Sequence, residues 1–172
     1  MKTKLKPIIV LMLICLFTST ALALTNEKTA SVIAQTEKTK AEEAQKEVLP
    51  EADSFTQLSL TGLPPSVTEV YEAQNGAGYV LLLSTKGYGG DMRLICGMDK
   101  DGKITSCKTL SQSETQGLGS KITEAKFSEQ FIGKDSSLED VETISGATIS
   151  SKAYIGAIKD AFTAFELARE AA

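Results

Sequence analysis

The sequence predicts an α+β protein in which a single N-terminal transmembrane helix precedes one domain with a mostly antiparallel sheet and flanking helices. Two observations lead to this fold class. An uncharged run covers residues 7–24. From residue 67 onward, strand-like segments joined by short turns precede helix-like segments, an order typical of α+β domains. A chain of 172 residues, 42% of them hydrophobic, is long enough for one such domain with its own core.

The first residues predict a membrane anchor. Lys2, Lys4 and Lys6 precede the run at 7–24, which as a helix would span about 27 Å, close to the hydrocarbon thickness of a bilayer. Basic residues on this side place residues 1–6 in the cytoplasm and the rest of the chain outside. A signal-peptidase site at residues 21–23 is the alternative and would release the domain. We favour the retained anchor, because the run is long and the residues beyond it continue as a helix.

Residues 25–50 are polar and predict a juxtamembrane helix or linker. Small apolar residues recur along this segment at spacings of three and four, which favours a weakly amphipathic helix: Ala30, Ala34, Ala41, Ala44 and Val48. The helix either packs against a partner or is surrounded by solvent. Pro50 ends it, and residues 51–172 form the extracytoplasmic domain.

Two β-hairpins and two helices are predicted inside the domain. The segments are strand-like and are separated by glycine-containing turns. They cover 67–73 and 79–85 in the first hairpin, and 93–99 and 104–110 in the second. A short helix at 121–131 and a longer one at 149–167 follow. The longer helix carries its apolar residues on one broad face, which indicates that it packs on the sheet.

Cys96 and Cys107 lie on the two strands of the second hairpin. If residues 101–102 form a two-residue turn, the two cysteines are directly opposite each other. A cross-strand disulfide is then geometrically feasible, and an external compartment would permit it. A longer turn would break this register. Two buried thiols that fill the core are the other interpretation.

Composition excludes several functional classes. A net charge of −4 argues against a nucleic acid partner, which requires a basic face. The chain has no histidine, which rules out Ser-His-Asp and Cys-His catalysis and histidine-based metal sites. Its three cysteines are too few to hold an iron–sulfur cluster alone. We therefore expect no nucleic acid partner, no metal site and no catalytic residue.

A small polar turn, Ser145-Gly146-Ala147-Thr148, directly precedes the longer helix. The unpaired N–H groups and the dipole of a helix start favour a bound anion. A threonine hydroxyl held at this point can carry a phosphate ester, and the small neighbours leave room for a bulky group. The alternative is an ordinary helix cap formed by Ser145, Thr148 or Ser150.

Two glycine-rich segments lie on either side of the second hairpin, at residues 87–90 and 114–119. Neither has the pattern of a dinucleotide fold or of a phosphate-binding loop. Glycine lets backbone approach a flat ligand closely, whereas the simpler interpretation is turn chemistry.

The helix-start segment resembles the flavinylation motif of extracytoplasmic FMN-binding domains. That motif has Ser/Thr-Gly-Ala-Thr with an acidic residue three positions upstream, usually Asp and here Glu142. The resemblance implies that FMN is joined through its phosphate to Thr148 as a phosphoester. It also implies that Ser145, Gly146 and Ala147 surround the attachment point.

Nearly the whole chain resembles the G subunits of Rnf ion-translocating ferredoxin:NAD oxidoreductase complexes. The similar stretches occur in the same order, at residues 24–30, 47–52, 87–90, 114–119 and 145–148. The C subunit of the sodium-translocating NADH:quinone oxidoreductase shares the domain but is typically longer. Besides Glu142, the chain departs from the family pattern at Gln116, where Pro is usual, and at Ser113, near which His is often found.

The resemblance implies a membrane-anchored flavoprotein that relays electrons among the other membrane subunits of a redox pump. Its flavin would lie along Tyr88, Glu114, Thr115, Gly117, Leu118 and Gly119. The chain has no convincing base to activate Thr148, so a separate flavin transferase that uses FAD and a divalent metal would install the FMN. Glu142 would serve recognition by that enzyme or local turn structure. The alternatives are a stand-alone anchored FMN electron-transfer protein and a non-redox, membrane-tethered interaction domain.

Overall fold

The computed structural model describes residues 2–171, which fall into two compact units divided after Lys40. Helix α1, Lys2–Val48, supplies the first unit and the beginning of the second. Its segment Lys6–Ala30 is long and apolar enough to cross a membrane, with a mean hydropathy of 2.5. The predicted anchor and polar segment are thus one continuous helix, which ends before Pro50 because proline cannot continue it.

The second unit contains a five-stranded antiparallel sheet in the order β1-β2-β3-β4-β5. Its strands are β1 (Phe55–Leu58), β2 (Val67–Ala73), β3 (Gly78–Lys86), β4 (Asp91–Asp99) and β5 (Ile104–Ser111). Both predicted hairpins and the α+β class are therefore confirmed. Strand β1 was not predicted: it has only four residues and pairs through Phe55 with Ala73 at the edge of the sheet.

The turn between β4 and β5 is longer than predicted, yet the cysteines still face each other. The Asp99 amide donates to the Lys103 carbonyl, and Gly102 adopts a φ of +79° between them. Such three-residue loops use glycine at the left-handed position. A bulge that adds Thr105 to β5 then shifts the register by one residue, so Cys96 pairs with Cys107.

Both faces of the sheet are covered, which explains why β3 is buried almost continuously. Tyr79, Leu81 and Leu83 point to a core completed by α3, Thr148–Ala171. Val80 and Leu82 point to the opposite face, where the end of α1 packs. Of the apolar residues predicted along the polar segment, Ala41, Ala44 and Val48 are buried here, whereas Ala30 and Ala34 are exposed.

A close contact holds the end of α1 on the sheet. The hydroxyl of Thr105 donates to the Val48 carbonyl at 2.6 Å. A Cβ on Gly97 would lie 2.5 Å from the same carbonyl oxygen. Only glycine at this position lets the helix end approach so closely, and the bulged residue Thr105 supplies the hydrogen bond that satisfies it.

The predicted helix at 121–131 is wrong as a single element. The structure has a 3₁₀ turn at Gly119–Thr123, a one-turn helix α2 at Ala125–Ser128 and a second 3₁₀ turn at Glu129–Phe131. Glu124 interrupts the helix because its backbone is extended, with φ −73° and ψ 140°. Phe127 and Phe131 from these turns pack against Tyr154 of α3, and this aromatic cluster fixes the helix below the candidate site.

Candidate functional site

The candidate site is built at the start of α3. The carbonyl of Ala147 accepts from the Ser151 amide at 2.9 Å, which makes Ala147 the residue that precedes the helix. Ser151 also stabilises the turn before the helix, because its hydroxyl donates to the Ala147 carbonyl and accepts from the Ile144 amide. Gly146 adopts a φ of +81°, a conformation for which glycine is suited. These contacts hold Thr148 at the first helical position.

The start of α3 has no side-chain cap from any residue that the structure describes. Within residues 2–171, the backbone N–H groups of Thr148, Ile149 and Ser150 have no hydrogen-bond acceptor. The cap expected as an alternative at Ser145, Thr148 or Ser150 is therefore not formed. Unpaired N–H groups at a helix start form a binding site for phosphate, and the exposed Thr148 hydroxyl lies beside them.

A cavity of about 300 Å³ opens over the helix start. Its walls come from three segments that are distant in sequence: the turn between β3 and β4, the segment after β5, and the start of α3. It is lined by Tyr88, Glu114, Thr115, Leu118, Gly119, Gly146, Ala147, Thr148, Ile149 and Ser150. Eight of the eleven residues predicted to contact the flavin or its attachment point lie in this lining.

The buried carboxylate of Glu114 joins these three segments. Its Oε1 accepts from the Gly89 amide at 3.2 Å, and its Oε2 accepts from the Ser150 hydroxyl at 2.7 Å. The bond from Ser150 is buried, and there a hydrogen bond to a charged acceptor is stronger than one at the surface. Glu114 thereby connects the β3–β4 turn to the first turn of α3.

The glycines beside Glu114 make room for it. A Cβ on Gly87 would lie 1.9 Å from Glu114 Oε1, and a Cβ on Gly119 would lie 2.3 Å from Oε2. A Cβ on Gly89 would meet the backbone of residues 113–114. These glycines were expected either to admit a flat ligand or to form simple turns. In the structure the space at Gly87 and Gly119 is occupied by the Glu114 side chain.

The mouth of the cavity is apolar. Tyr88 is 74% exposed, Leu118 50% and Ile149 58%, and each comes from a different wall. Exposed aromatic and aliphatic side chains around a cavity suit contact with a flat apolar ring. The arrangement therefore fits a ligand such as FMN, with an anionic group at the helix start and a ring system at the mouth.

Three predicted residues lie outside this cavity. Gly117 has a φ of +77° and no atom within 4 Å of the position of a Cβ, so its role is in the turn. Glu142 and Ser145 line a second cavity of about 420 Å³, together with Lys121, Glu124, Lys126, Phe127, Gln130, Thr143 and Ile144. Residues 145–147 therefore lie between two cavities; Thr148 lines the first, and Glu142 lines the second.

The backbone of Glu142 is held by one side chain. The Gln130 amide accepts from the Glu142 N–H at 2.9 Å and donates to its carbonyl at 3.5 Å. The Glu142 carboxylate is exposed and forms no hydrogen bond or ion pair with any other described residue. Gln130 therefore stabilises the chain at residue 142 through the backbone of Glu142. The Glu142 carboxylate takes no part in these hydrogen bonds.

Sequence reasoning considered Ser150 only as a helix cap and missed the buried hydrogen bonds of Ser150 and Ser151. Ser150 and Ser151 are almost fully buried, and both bond to groups of the site. Two adjacent serines in the first turn of an otherwise apolar helix face were the available signal, because buried hydroxyls require partners. Which partners they have depends on long-range contacts that a sequence does not display.

Comparisons with known proteins identify the family of this chain. Residues 87–163 match the FMN-binding domain family. The chain is 32% identical to the G subunit of the ion-translocating oxidoreductase complex of Methanosarcina acetivorans, over 91% of each chain. It is 30% identical to the G subunit of the Na(+)-translocating ferredoxin:NAD(+) oxidoreductase complex of Acetobacterium woodii, over 87% of this chain and 86% of that one. The predicted resemblance is thereby confirmed, and the chain belongs to the family of G subunits of ion-translocating oxidoreductase complexes.

Proposed function

We propose that this protein is a membrane-anchored electron-transfer flavoprotein whose FMN is bound through a phosphoester to Thr148. The observation that carries the proposal is the Thr148 hydroxyl, exposed at the first position of α3 beside unpaired backbone N–H groups and an apolar-mouthed cavity. The FMN-binding family match and the oxidoreductase complexes of the relatives support it. FMN passes electrons singly or in pairs.

Different residues around the cavity bind the phosphate and the ring of the FMN. The free N–H groups of Thr148 and Ile149 orient the phosphate, and the helix start stabilises its charge by roughly 0.3–1 kcal/mol. Tyr88, Leu118 and Ile149 shield the ring from water. Glu114 holds the β3–β4 turn and the start of α3 together through its hydrogen bonds to Gly89 and Ser150. Attachment also keeps the cofactor at high effective concentration in a compartment where a free one would be diluted.

A separate flavin transferase, using FAD and a divalent metal, installs the FMN. In this reaction the Thr148 Oγ–P bond forms, the phosphoanhydride of FAD breaks, AMP leaves, and the hydroxyl proton passes to a base of the transferase. No residue within 2–171 forms a hydrogen bond with the Thr148 hydroxyl. The carboxylate in the same cavity, that of Glu114, already accepts bonds from Gly89 and Ser150. The base that takes the proton is therefore supplied by the transferase. The free Glu142 carboxylate, on the other side of the turn, is recognised by the transferase.

The anchor sets the location. Residues 1–6 lie in the cytoplasm, residues 7–24 cross the membrane, and the domain lies outside, as the lysines before the apolar segment indicate. There the domain exchanges electrons with other membrane subunits of an ion-translocating ferredoxin:NAD oxidoreductase complex, the class of assembly to which the Acetobacterium relative belongs.

Covalent attachment is tested with the full chain, co-produced with a flavin transferase and extracted from membranes. We expect flavin fluorescence to stay with the protein band after denaturing electrophoresis, and the intact mass to rise by one FMN moiety. Thr148→Val should abolish both signals, whereas Thr148→Ser retains a hydroxyl and should keep them. Thr163→Val, at an exposed threonine further along α3, is the matched control and should remain flavinylated.

The outcome separates the competing functions. Flavin that survives denaturation in Thr148→Val would place the bond elsewhere. An unmodified mass for the parent chain would favour a membrane-tethered interaction domain. We further expect Thr148→Val to fold, as judged by circular dichroism, while electron transfer through the assembled complex is lost; unfolding of this variant would instead indicate a structural role.

A further inference from the structure

A pair of buried thiols lies beneath α3, apart from the flavin cavity. Cys96 on β4 and Cys107 on β5 are paired residues of the sheet. The structure holds both as thiols, with the Cys107 Sγ donating to the Cys96 Sγ at 3.0 Å. Both side chains are fully buried, so the residues packed around them in the core hold the two Sγ atoms close together.

The backbone geometry suits a covalent bond. Directly opposed residues of an antiparallel pair have Cα atoms about 4.5–5.5 Å apart, and disulfides require about 4.4–6.8 Å. The Thr105 bulge sets the register that brings the two cysteines together. Thr105 is itself fixed by its bond to the Val48 carbonyl, so slippage of β5 would also break that contact.

Each thiol has one weak acceptor: the Cys107 S–H donates to the Cys96 Sγ at 3.0 Å, and the Cys96 S–H donates to the Gly97 carbonyl at 3.8 Å. Burial raises the pKa of Cys107 and of Tyr154 well above their ordinary values. A disulfide has no S–H group, so its formation removes two buried donors that have only these weak acceptors.

We propose that Cys96 and Cys107 are joined by a structural disulfide in the mature protein, a cross-link that stabilises the β4–β5 hairpin under α3. The inference rests on the extracytoplasmic location proposed above, where disulfides persist. The Sγ–Sγ bond forms by exchange with the disulfide of a thiol oxidoreductase. The oxidant's S–S bond breaks, and its two sulfurs take up two electrons and two protons as thiols.

The burial of the pair sets the order of events. A folded domain shields both sulfurs from an external oxidant, and a raised thiol pKa lowers the thiolate fraction that exchange requires. The bond therefore forms before α3 covers the sheet. Once formed, it is equally shielded from reductants, so we expect it to be reduced only after unfolding.

Cysteine alkylation tests the proposal, with Cys15 in the membrane segment as an internal reference. Cells producing the full chain are quenched with N-ethylmaleimide, and the protein is extracted and denatured in the same reagent. We expect one adduct, on Cys15, without reductant and three adducts after reduction. Cys15→Ser should give none and two, respectively. Three adducts on the unreduced parent chain would overturn the proposal.

Stability and flavin content provide independent readouts. Reduction in denaturant followed by refolding under reductant should lower the thermal unfolding midpoint of the parent and of Cys15→Ser, and leave that of the Cys96→Ala/Cys107→Ala variant unchanged. An equal shift in all three proteins would contradict a cross-link. The same mass spectra report the FMN adduct, so a missing disulfide in a flavinylated protein refutes this inference alone, and a missing flavin leaves the alkylation result readable.

Discussion

The carboxylate of Glu114 accepts a hydrogen bond of 2.7 Å from the hydroxyl of Ser150, 36 residues away in sequence. With the bond from the Gly89 amide to its other oxygen, this contact makes one side chain the link between both glycine segments and the start of α3. The family resemblance implies that Glu114 lies along the flavin. The structure adds that its oxygens are already engaged by the protein.

Glu114→Gln should destabilise the domain with little change in side-chain volume. The glutamine amide has one carbonyl oxygen and one NH2 group. Only the oxygen can accept a hydrogen bond, so one of the two bonds that Gly89 and Ser150 donate to Glu114 is lost. An unsatisfied buried group costs about 1–3 kcal/mol, and we expect a loss of that size in the free energy of unfolding measured with denaturant.

The matched control for this change is Glu124→Gln, at an exposed carboxylate, which should alter the unfolding free energy by less than about 0.5 kcal/mol. Ser150→Ala should destabilise as well, and its effect should be less than additive with Glu114→Gln, because both changes break the same hydrogen bond. Full additivity would show that the two residues act independently.

Alanine should have opposite effects at two glycines. A Cβ at Gly119 would lie 2.3 Å from Glu114 Oε2 and 2.8 Å from Glu114 Cβ, so Gly119→Ala should displace Glu114 and lower the thermal unfolding midpoint. Gly156 is exposed within α3 and has no atom within 4 Å of the Cβ position. There Gly156→Ala should stabilise the helix by about 0.5–1 kcal/mol. A neutral Gly119→Ala would mean that Glu114 is not tightly held.

Stability should fall at high pH in part through Tyr71. Burial, and then its hydrogen bond to Glu69, raises the pKa of Tyr71 from 10.0 to about 12. The folded state thus keeps a proton that the unfolded chain releases first. This contribution is complete below pH 10.0 and is lost as the pH rises through about 12. Tyr71→Phe should flatten the decline of the denaturation midpoint over this interval; an unchanged slope would show that other groups dominate.

The sequence allowed prediction of features that local patterns encode. Strand-like segments and glycine turns identify the hairpins. The apolar face of residues 149–167 identifies most of α3, which extends at both ends to Thr148 and Ala171. Strand β1 was missed because four residues give too short a pattern, and it is a strand only through its pairing with β2. The supposed helix at 121–131 failed because extended backbone at Glu124 divides it, in spite of its helical spacing.

The candidate site was only partly predictable. The small residues before Thr148 and the glycine segments are visible as motifs, and the structure gathers most of them around one cavity. The partnership of Glu114 with Gly89 and Ser150 is not visible, because it joins positions 25 and 36 residues away. The space that glycine leaves at 87 and 119 accommodates the Glu114 side chain, a contact that neither glycine motif displays.

The hydrogen bonds between Gln130 and the backbone of Glu142 affect which acidic residues position 142 can accept. Since the turn is fastened through main-chain groups, an extra methylene at position 142 lengthens only the part of the side chain that reaches solvent. Glutamate in place of the usual aspartate is therefore compatible with the same turn. A motif search that insisted on aspartate would overlook chains such as this one, whereas one that accepted either acid and required a hydrogen-bonding amide twelve residues upstream would retain them.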